Sequence, residues 1–217
     1  MKKTITILYL FFVGNHLFGQ VQKGTLLFEG SFKYDTKSNP VKLLAEESYS
    51  QFGLSPSISY FVTDHVYVGA GFAYERKNSD AYVKLIFDNI QPEKYITVPT
   101  NTIKQSNETF IYAGFWKEIS PKFYWSSLLS AGLGFGKITK TTSNPVVSTF
   151  YTSNYVAIRL KPSLNYLISN SLGLKLTFGG LSFQNTKLSE GNTKSDFNLN
   201  INPDNWEFGL FYALNRK

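Results

Sequence analysis

The sequence predicts an all-β chain: an eight-stranded antiparallel up-and-down barrel that crosses a membrane, with short turns at one end and long loops at the other. Three observations predict it. Apolar and small polar residues alternate over many segments of about 10 residues, the length that a tilted strand needs to cross a bilayer. Aromatic residues make up 17% of the chain, and charged residues also only 17%. The segments are joined by turns that alternate between short and long.

The alternation is clearest in the stretch SPSISYFVTDHVYVGAGFAY, residues 55–74. Its apolar residues recur at every second position, which is the period of a strand. The other face carries Ser and Gly, whereas the solvent face of a soluble sheet usually carries longer polar side chains. We therefore expect the apolar face to contact lipid and the small polar face to line a narrow lumen, where small residues make room for longer polar groups.

Eight segments follow this pattern, and short turns alternate with long loops between them. The predicted strands are residues 24–34, 51–61, 66–75, 109–117, 123–136, 156–166, 172–179 and 206–214. Short turns are predicted at 63–64, 118–122 and 169–171, and long loops at 35–50, 76–108, 137–154 and 184–204. Short periplasmic turns and long extracellular loops are typical of outer-membrane barrels. A ten-stranded barrel that includes 82–87 and 95–98 is an alternative, as is a soluble lipid-binding barrel with its apolar face inward.

The N-terminus predicts export. Lys2 and Lys3 precede an apolar run over residues 5–13, which is too short to span a bilayer, and a small residue follows at Gly19. We expect residues 1–19 to be a removed signal peptide and residues 20–217 to form the barrel. The chain has no cysteine, so it has neither a lipid-modified Cys nor disulfides. No later run reaches the roughly 18 apolar residues of a transmembrane helix.

Charge and motifs argue against several function classes. The net charge is +7, and loss of Lys2 and Lys3 leaves +5, but the basic residues are scattered among acids and form no nucleic-acid motif. The run GLGFGK, residues 132–137, lacks the spacing of a phosphate-binding loop. His65 is the single histidine of residues 20–217, which disfavours a Ser-His triad or a zinc site. We expect no enzymatic activity, no cofactor and no metal.

The phrases GLSPSISYFVTDHVYVGAGFAYERK, KPSLNYLISNSLGLKLTFGGLSF and WEFGLFYAL resemble the small outer-membrane β-barrel family of Gram-negative bacteria, the OmpA-type barrel without a peptidoglycan-binding domain. The resemblance covers essentially all of residues 20–217. It implies location in the cell outer membrane, with outer-membrane lipid, lipopolysaccharide and the barrel assembly machinery as partners.

The inward face is the candidate functional site. Strand parity places seven charged residues there, which we expect to form a salt-bridge network that plugs the lumen: Glu29, Lys33, Glu75, Arg159, Lys161, Lys175 and Glu207. The favoured function is then a structural or surface-interaction role, in which the loop 76–108 offers strand-like pieces to an extracellular partner. The alternative is a narrow pore or small-ligand carrier lined by the same charges.

Overall fold

The structure is a computed structural model, and it describes residues 21–37, 48–87, 94–143, 146–189, 191–201 and 206–214; of 82–87 and 94–97 it describes the backbone alone. The predicted signal peptide, residues 1–19, lies outside the described residues. No helical segment in the described part of the chain has the length and hydropathy needed to span a bilayer.

Ten β-strands form one antiparallel sheet. They are β1 (Leu26–Lys37), β2 (Ser48–Phe61), β3 (Val66–Phe87), β4 (Lys94–Ser120), β5 (Phe123–Ser143), β6 (Val146–Leu167), β7 (Leu172–Thr177), β8 (Gly180–Leu188), β9 (Thr193–Asn200) and β10 (Glu207–Leu214). Each of β1 to β6 pairs with the next strand in sequence. β6 pairs with β7, β7 with β10, and β10 returns to β1.

The closed ring therefore contains eight strands, as predicted. Strands β7 and β8 both pair with β6, so β8 is the continuation of β7 towards the loop end. Strand β9 pairs with β8 in the same way as β10 pairs with β7. Strands β1 and β10 close the ring by pairing from Leu26–Leu214 to Phe32–Phe208, so the backbone groups of these strands are paired over this height, as hydrocarbon requires. Ten strands are counted because two strands of the ring are interrupted, one between β7 and β8 and the other between β9 and β10. The alternative of a ten-stranded barrel is wrong, because 82–87 and 95–98 continue β3 and β4 and do not form extra crossings.

A bulge divides the seventh strand of the ring. Between the pairs Leu160–Leu181 and Ser163–Thr177, β6 has two residues, Lys161 and Pro162. The opposite strand has three residues in the same interval, 178–180. Gly179 and Gly180 in that strand have φ of 76° and 141°, a region that L side chains rarely adopt. The extra residue exchanges the two faces, so that even-numbered residues point outward in β7 and odd-numbered ones in β8. The bulge beside Pro162 is the arrangement that a proline within a strand needs.

The predicted loops contain more strand than expected. Strands β3 and β4 stay paired from Val66–Phe115 up to Phe87–Lys94, so most of the segment 76–108 is a tall hairpin. The segment 137–154 was predicted as a loop, yet β5 and β6 pair through it to Ser143–Val146. Likewise β8 and β9 occupy most of 184–204. Residues 137–143 of β5 are mostly polar on both faces, so the alternation that predicted the membrane strands is lost there. In β9, by contrast, Phe197 and Leu199 alternate with Asn198 and Asn200 and are 73% and 62% exposed, so this strand carries the alternation although it was predicted as a loop.

A belt of exposed apolar side chains surrounds the ring, with one face of each membrane strand contributing to it. Members include Phe28, Phe32, Leu54, Ile58, Val68, Phe72, Ile111, Leu129, Leu133, Val156, Ile158, Leu160, Leu174, Phe183, Phe208 and Leu210, each at least 41% exposed. A soluble protein rarely exposes a continuous apolar surface of this kind. The apolar face lies outside, so the soluble barrel with an apolar interior is excluded.

Candidate functional site: the lumen of the barrel

The lumen contains three layers, and the layer at the short-turn end is aromatic. Phe61 and Tyr67 flank the β2–β3 turn, and their rings lie 5.2 Å apart. Trp116 of β4 packs between them and Phe211 of β10, with ring centroids 5.9 Å from Phe61 and 5.6 Å from Phe211. Tyr124 of β5 lies 5.4 Å from Trp116. We call these five side chains the aromatic plug.

Four members of the aromatic plug are fully buried: Phe61 and Tyr67 are 0% exposed, and Trp116 and Phe211 are 1% exposed. The same buried cluster also contains Val21, Leu27, Tyr112, Leu167 and Ala213. The position of Phe61 and Trp116 near strand ends predicts that they belong to an aromatic girdle at the membrane interface. This prediction is wrong, because both side chains lie on the inward face. Tyr60, Phe123 and Trp125 do face outward, each at least 37% exposed.

Inward-facing glycines make the room for these rings. An added Cβ at Gly69 would come within 2.5 Å of Cζ of Tyr112, and one at Gly114 would collide with the Tyr67 ring. Gly173 similarly faces the Phe211 ring. The small inward residues predicted to accommodate long polar groups therefore accommodate aromatic groups at this end of the lumen.

The middle layer consists of three ion pairs. Lys175 Nζ lies 2.9 Å from Glu29 Oε1, with the two side chains 12% and 5% exposed. Lys161 Nζ lies 2.6 Å from Glu207 Oε1. Arg159 makes a two-pronged contact with Glu108, in which Nη2 donates to Oε2 at 2.7 Å and Nη1 donates to Oε1. Two parallel charge-assisted hydrogen bonds fix both the distance and the plane of the pair.

Five of the seven predicted residues thus meet in this layer, but Arg159 finds a partner that the sequence did not indicate. Glu108 was assigned to the end of a loop, whereas it lies inside β4 and is 5% exposed. The alternation of strand faces would have indicated Glu108 if the predicted strand had been extended by one residue from 109. Glu108 then shares the inward face with Tyr112, Gly114 and Trp116.

Neutral hydrogen bonds support the ion pairs. Tyr112 Oη donates to Glu29 Oε2 at 3.3 Å, and Ser57 Oγ donates to the same oxygen at 3.5 Å. A buried carboxylate needs such partners beyond its cation, because its remaining lone pairs are cut off from water. Nearer the short turns, Asn165 Nδ2 donates to Ser126 Oγ at 2.9 Å.

The upper layer is a cavity of about 750 Å³ that continues the lumen towards the loop end, and we call it the vestibule. The ion-pair layer forms its floor, and polar residues form much of its wall, among them Lys33, Ser55, Glu75, Lys104, Ser106 and Gln184. Glu75 is exposed and accepts a hydrogen bond of 2.8 Å from Gln51 Nε2. Lys33 and Glu75, predicted as members of the charge network, lie in the vestibule wall above the three ion pairs.

Comparisons with known proteins give relatives in structure and none in sequence. No family model matches the chain, and no curated protein matches it. The chain is similar to Ail, the attachment invasion locus protein of Yersinia pestis, at 14% identity over 88% of this chain and 99% of that one, with a TM-score of 0.43. It is similar to the N-terminal β-barrel domain of Pseudomonas aeruginosa OprF at 14% identity, over 89% and 99% of the two chains, with a TM-score of 0.36.

A third solved structure is the outer membrane protein OprG from Pseudomonas aeruginosa, at 12% identity over 90% of this chain and 98% of that one, with a TM-score of 0.34. The closed ring and its apolar belt confirm the predicted fold class, and with it the location in an outer membrane. The resemblance to small outer-membrane barrels is confirmed at the level of the fold.

Proposed function

We propose that this integral outer-membrane barrel acts through its external surface and does not conduct ions, because its lumen is closed near the periplasmic end. The aromatic plug is the observation that carries the proposal. Its fully buried rings come from β2, β3, β4 and β10, so they fill the cross-section from opposite walls. Water does not reach side chains that are 0% or 1% exposed, and an ion needs its hydration shell or a substitute for it.

The ion-pair layer forms a second barrier. In each of its three pairs the acid and the base come from different strands and neutralise one another. A passing ion would have to separate such a pair, which leaves a buried charge without compensation. The layer therefore supports the proposal independently of the plug.

The surface-interaction role rests on the height of the strands. β3 with β4 and β5 with β6 extend as paired hairpins well past the apolar belt. In the described residues, Val146–Tyr151 of β6 pair with β5 alone, since the pairing of β6 with β8 begins at Ser153. An exposed strand edge binds extended segments of a partner by adding a strand to the sheet. We propose that the partner expected at 76–108 binds this upper sheet, and that the protein carries no catalytic activity.

A narrow pore or small-ligand carrier is the second candidate, and the vestibule favours it. A polar cavity of about 750 Å³ is large enough for a small solute, and charged residues form its floor. Transport would require the aromatic plug to move, whereas binding from the outside would not.

Conductance tests the proposal. The protein is refolded, its insertion is verified by the heat-dependent mobility of folded barrels, and it is placed in a planar lipid bilayer. We expect no current steps, and no change when Arg159 and Lys161 are both replaced by Ser. Reproducible steps that respond to this double replacement would instead establish the pore, whereas failure of the protein to insert would contradict the membrane assignment itself.

A further inference from the structure

The tall sheet above the vestibule carries three lysines on its inward face, which we call the lysine cluster: Lys77 of β3, Lys104 of β4 and Lys140 of β5. Strand alternation places them on this face, because each lies two residues along its strand from a residue that lines the vestibule, namely Glu75, Ser106 and Ile138. Lys104 also lines the vestibule itself. The cluster therefore lies at the mouth of the cavity, where a solute would enter from outside.

The three lysines are neighbours across the sheet. Lys77 and Lys104 are direct partners in the β3–β4 ladder. Lys104 pairs with Ile138 in the β4–β5 ladder, so Lys140, two residues further along β5, is its diagonal neighbour. Cβ atoms are about 5 Å apart for direct partners and about 7 to 8 Å apart for diagonal ones, and like charges at such positions repel. An anion placed among the three ammonium groups would relieve this repulsion.

Aromatic rings hold two of these lysines. Lys77 Nζ lies 4.0 Å from the centroid of the Tyr49 ring, and Lys140 Nζ lies 5.9 Å from that of Tyr151. The face of a ring attracts a cation through its quadrupole but has no net charge, so it orients the ammonium group without neutralising it. Tyr49 is itself held in place, because its Oη donates to Asp35 Oδ2 at 2.8 Å.

The acids of this region lie on the other side of the mouth. Residues 94–107, 136–143 and 146–154, which form the upper parts of β4, β5 and β6, contain no acid. Among the described residues no acid lies within ion-pair distance of Lys104 or Lys140. Glu75 of β3 accepts its hydrogen bond from Gln51 of β2, the neighbour of β3 on the side away from β4. The wall formed by β4 and β5 therefore presents positive charge above a floor of neutralised ion pairs.

We propose that the lysine cluster binds a small soluble anion with at least two negative charges, such as a phosphorylated solute, at the mouth of the vestibule. The inference rests on the second candidate function, binding of a small solute from outside, and does not require the barrel to conduct. An ammonium group binds phosphate oxygens as a point charge. Three such groups favour ligands with several charges, because separate anionic groups can contact separate lysines, and the cavity of about 750 Å³ accommodates the rest of the solute.

Isothermal titration calorimetry of the full chain, folded in detergent at low ionic strength to limit screening, tests the proposal. Pyrophosphate is the probe, and acetate is the singly charged comparison. We expect saturable binding of pyrophosphate and much weaker binding of acetate. Lys104→Gln should lower the pyrophosphate affinity about fivefold, the order expected for loss of one charge contact in water. Lys137→Gln is the matched control, because it removes the same charge from β5 at an outward position, where Lys137 Nζ lies 5.5 Å from the Phe150 ring.

A second variant separates the charge from the shape of the site. Lys104→Arg keeps the positive charge and should retain most of the affinity that Lys104→Gln loses. Pyrophosphate binding no tighter than acetate binding, or equal losses for Lys104→Gln and Lys137→Gln, would overturn the proposal. The heat-dependent mobility of each variant reports folding separately. Bilayer recordings of the same samples test the closed lumen: a silent barrel that does not bind pyrophosphate overturns this inference alone, and a conducting barrel that binds it overturns the closed lumen alone.

Discussion

Replacement of Trp116 by Ala should destabilise the barrel far more than the same replacement at Trp125. The two tryptophans lie in neighbouring strands near the same turn, but Trp116 faces the lumen at 1% exposed and Trp125 faces lipid at 37% exposed. An aromatic side chain buries roughly 200 Å², and at about 25 cal/mol per Å² this area corresponds to about 5 kcal/mol. The measured cost of such truncations in cores is about 3 to 5 kcal/mol.

The loss follows from the packing of the aromatic plug. Trp116 contacts Phe61, Tyr67, Tyr124 and Phe211 at centroid distances between 5.4 and 6.3 Å. Its removal leaves a void that rings fixed on four other strands do not fill, whereas acyl chains readily fill the space beside position 125. Urea-induced unfolding in lipid vesicles, followed by tryptophan fluorescence and by gel mobility, measures both variants. Equal losses for the two variants, or a larger loss for Trp125→Ala, would refute the inward plug.

Three further predictions concern the other layers of the molecule. Glu108→Gln should cost about 3 to 5 kcal/mol of unfolding free energy, because it leaves Arg159 buried without a counter-charge. The control is Glu75→Gln at an exposed position, which should cost under about 1 kcal/mol in the same urea experiment. Gly179→Ala should cost more in that assay than the about 1 to 2 kcal/mol of a positive φ, because the added Cβ would collide with the backbone oxygen of Asn200. In intact cells, a membrane-impermeant maleimide should label Thr149→Cys and leave Asp64→Cys unlabelled; labelling of Asp64→Cys alone would mean the opposite orientation.

The strand period fixed the inside and outside of the membrane segments correctly. Glu29, Arg159, Lys161, Lys175 and Glu207 all lie on the inward face, as their spacing indicated. This success has a simple cause. Successive residues of a membrane strand face lipid and the narrow lumen in turn. Outward positions are therefore apolar and inward positions are small or polar, and this alternation is visible in the sequence.

The aromatic plug was missed because ring-bearing residues near strand ends suggest an interfacial girdle. The period itself contained the correct signal: Phe61 shares its face with Ser57 and Ser59, and Trp116 shares its face with Gly114. Small residues on the same face as a ring indicate the side on which space is scarce, which in a narrow barrel is the inside.

The extent of the strands could not be predicted from the same pattern. Above the belt both faces of a strand meet water, so polar residues occupy both faces and the alternation disappears. This explains why 137–154 was taken for a loop and why Glu108 was left outside its strand. The ion-pair partners of the lumen charges could not be predicted either. Which side chains meet across the barrel depends on the stagger between strands, and the sequence of one strand does not determine that stagger.

The bulge at Gly179 and Gly180 has a consequence for how this chain tolerates changes in length. Deletion of one residue there would rotate every side chain of β8 by half a turn, sending Phe183 into the vestibule and Gln184 into lipid. A single deletion at the bulge therefore resembles a simultaneous substitution at every position of β8.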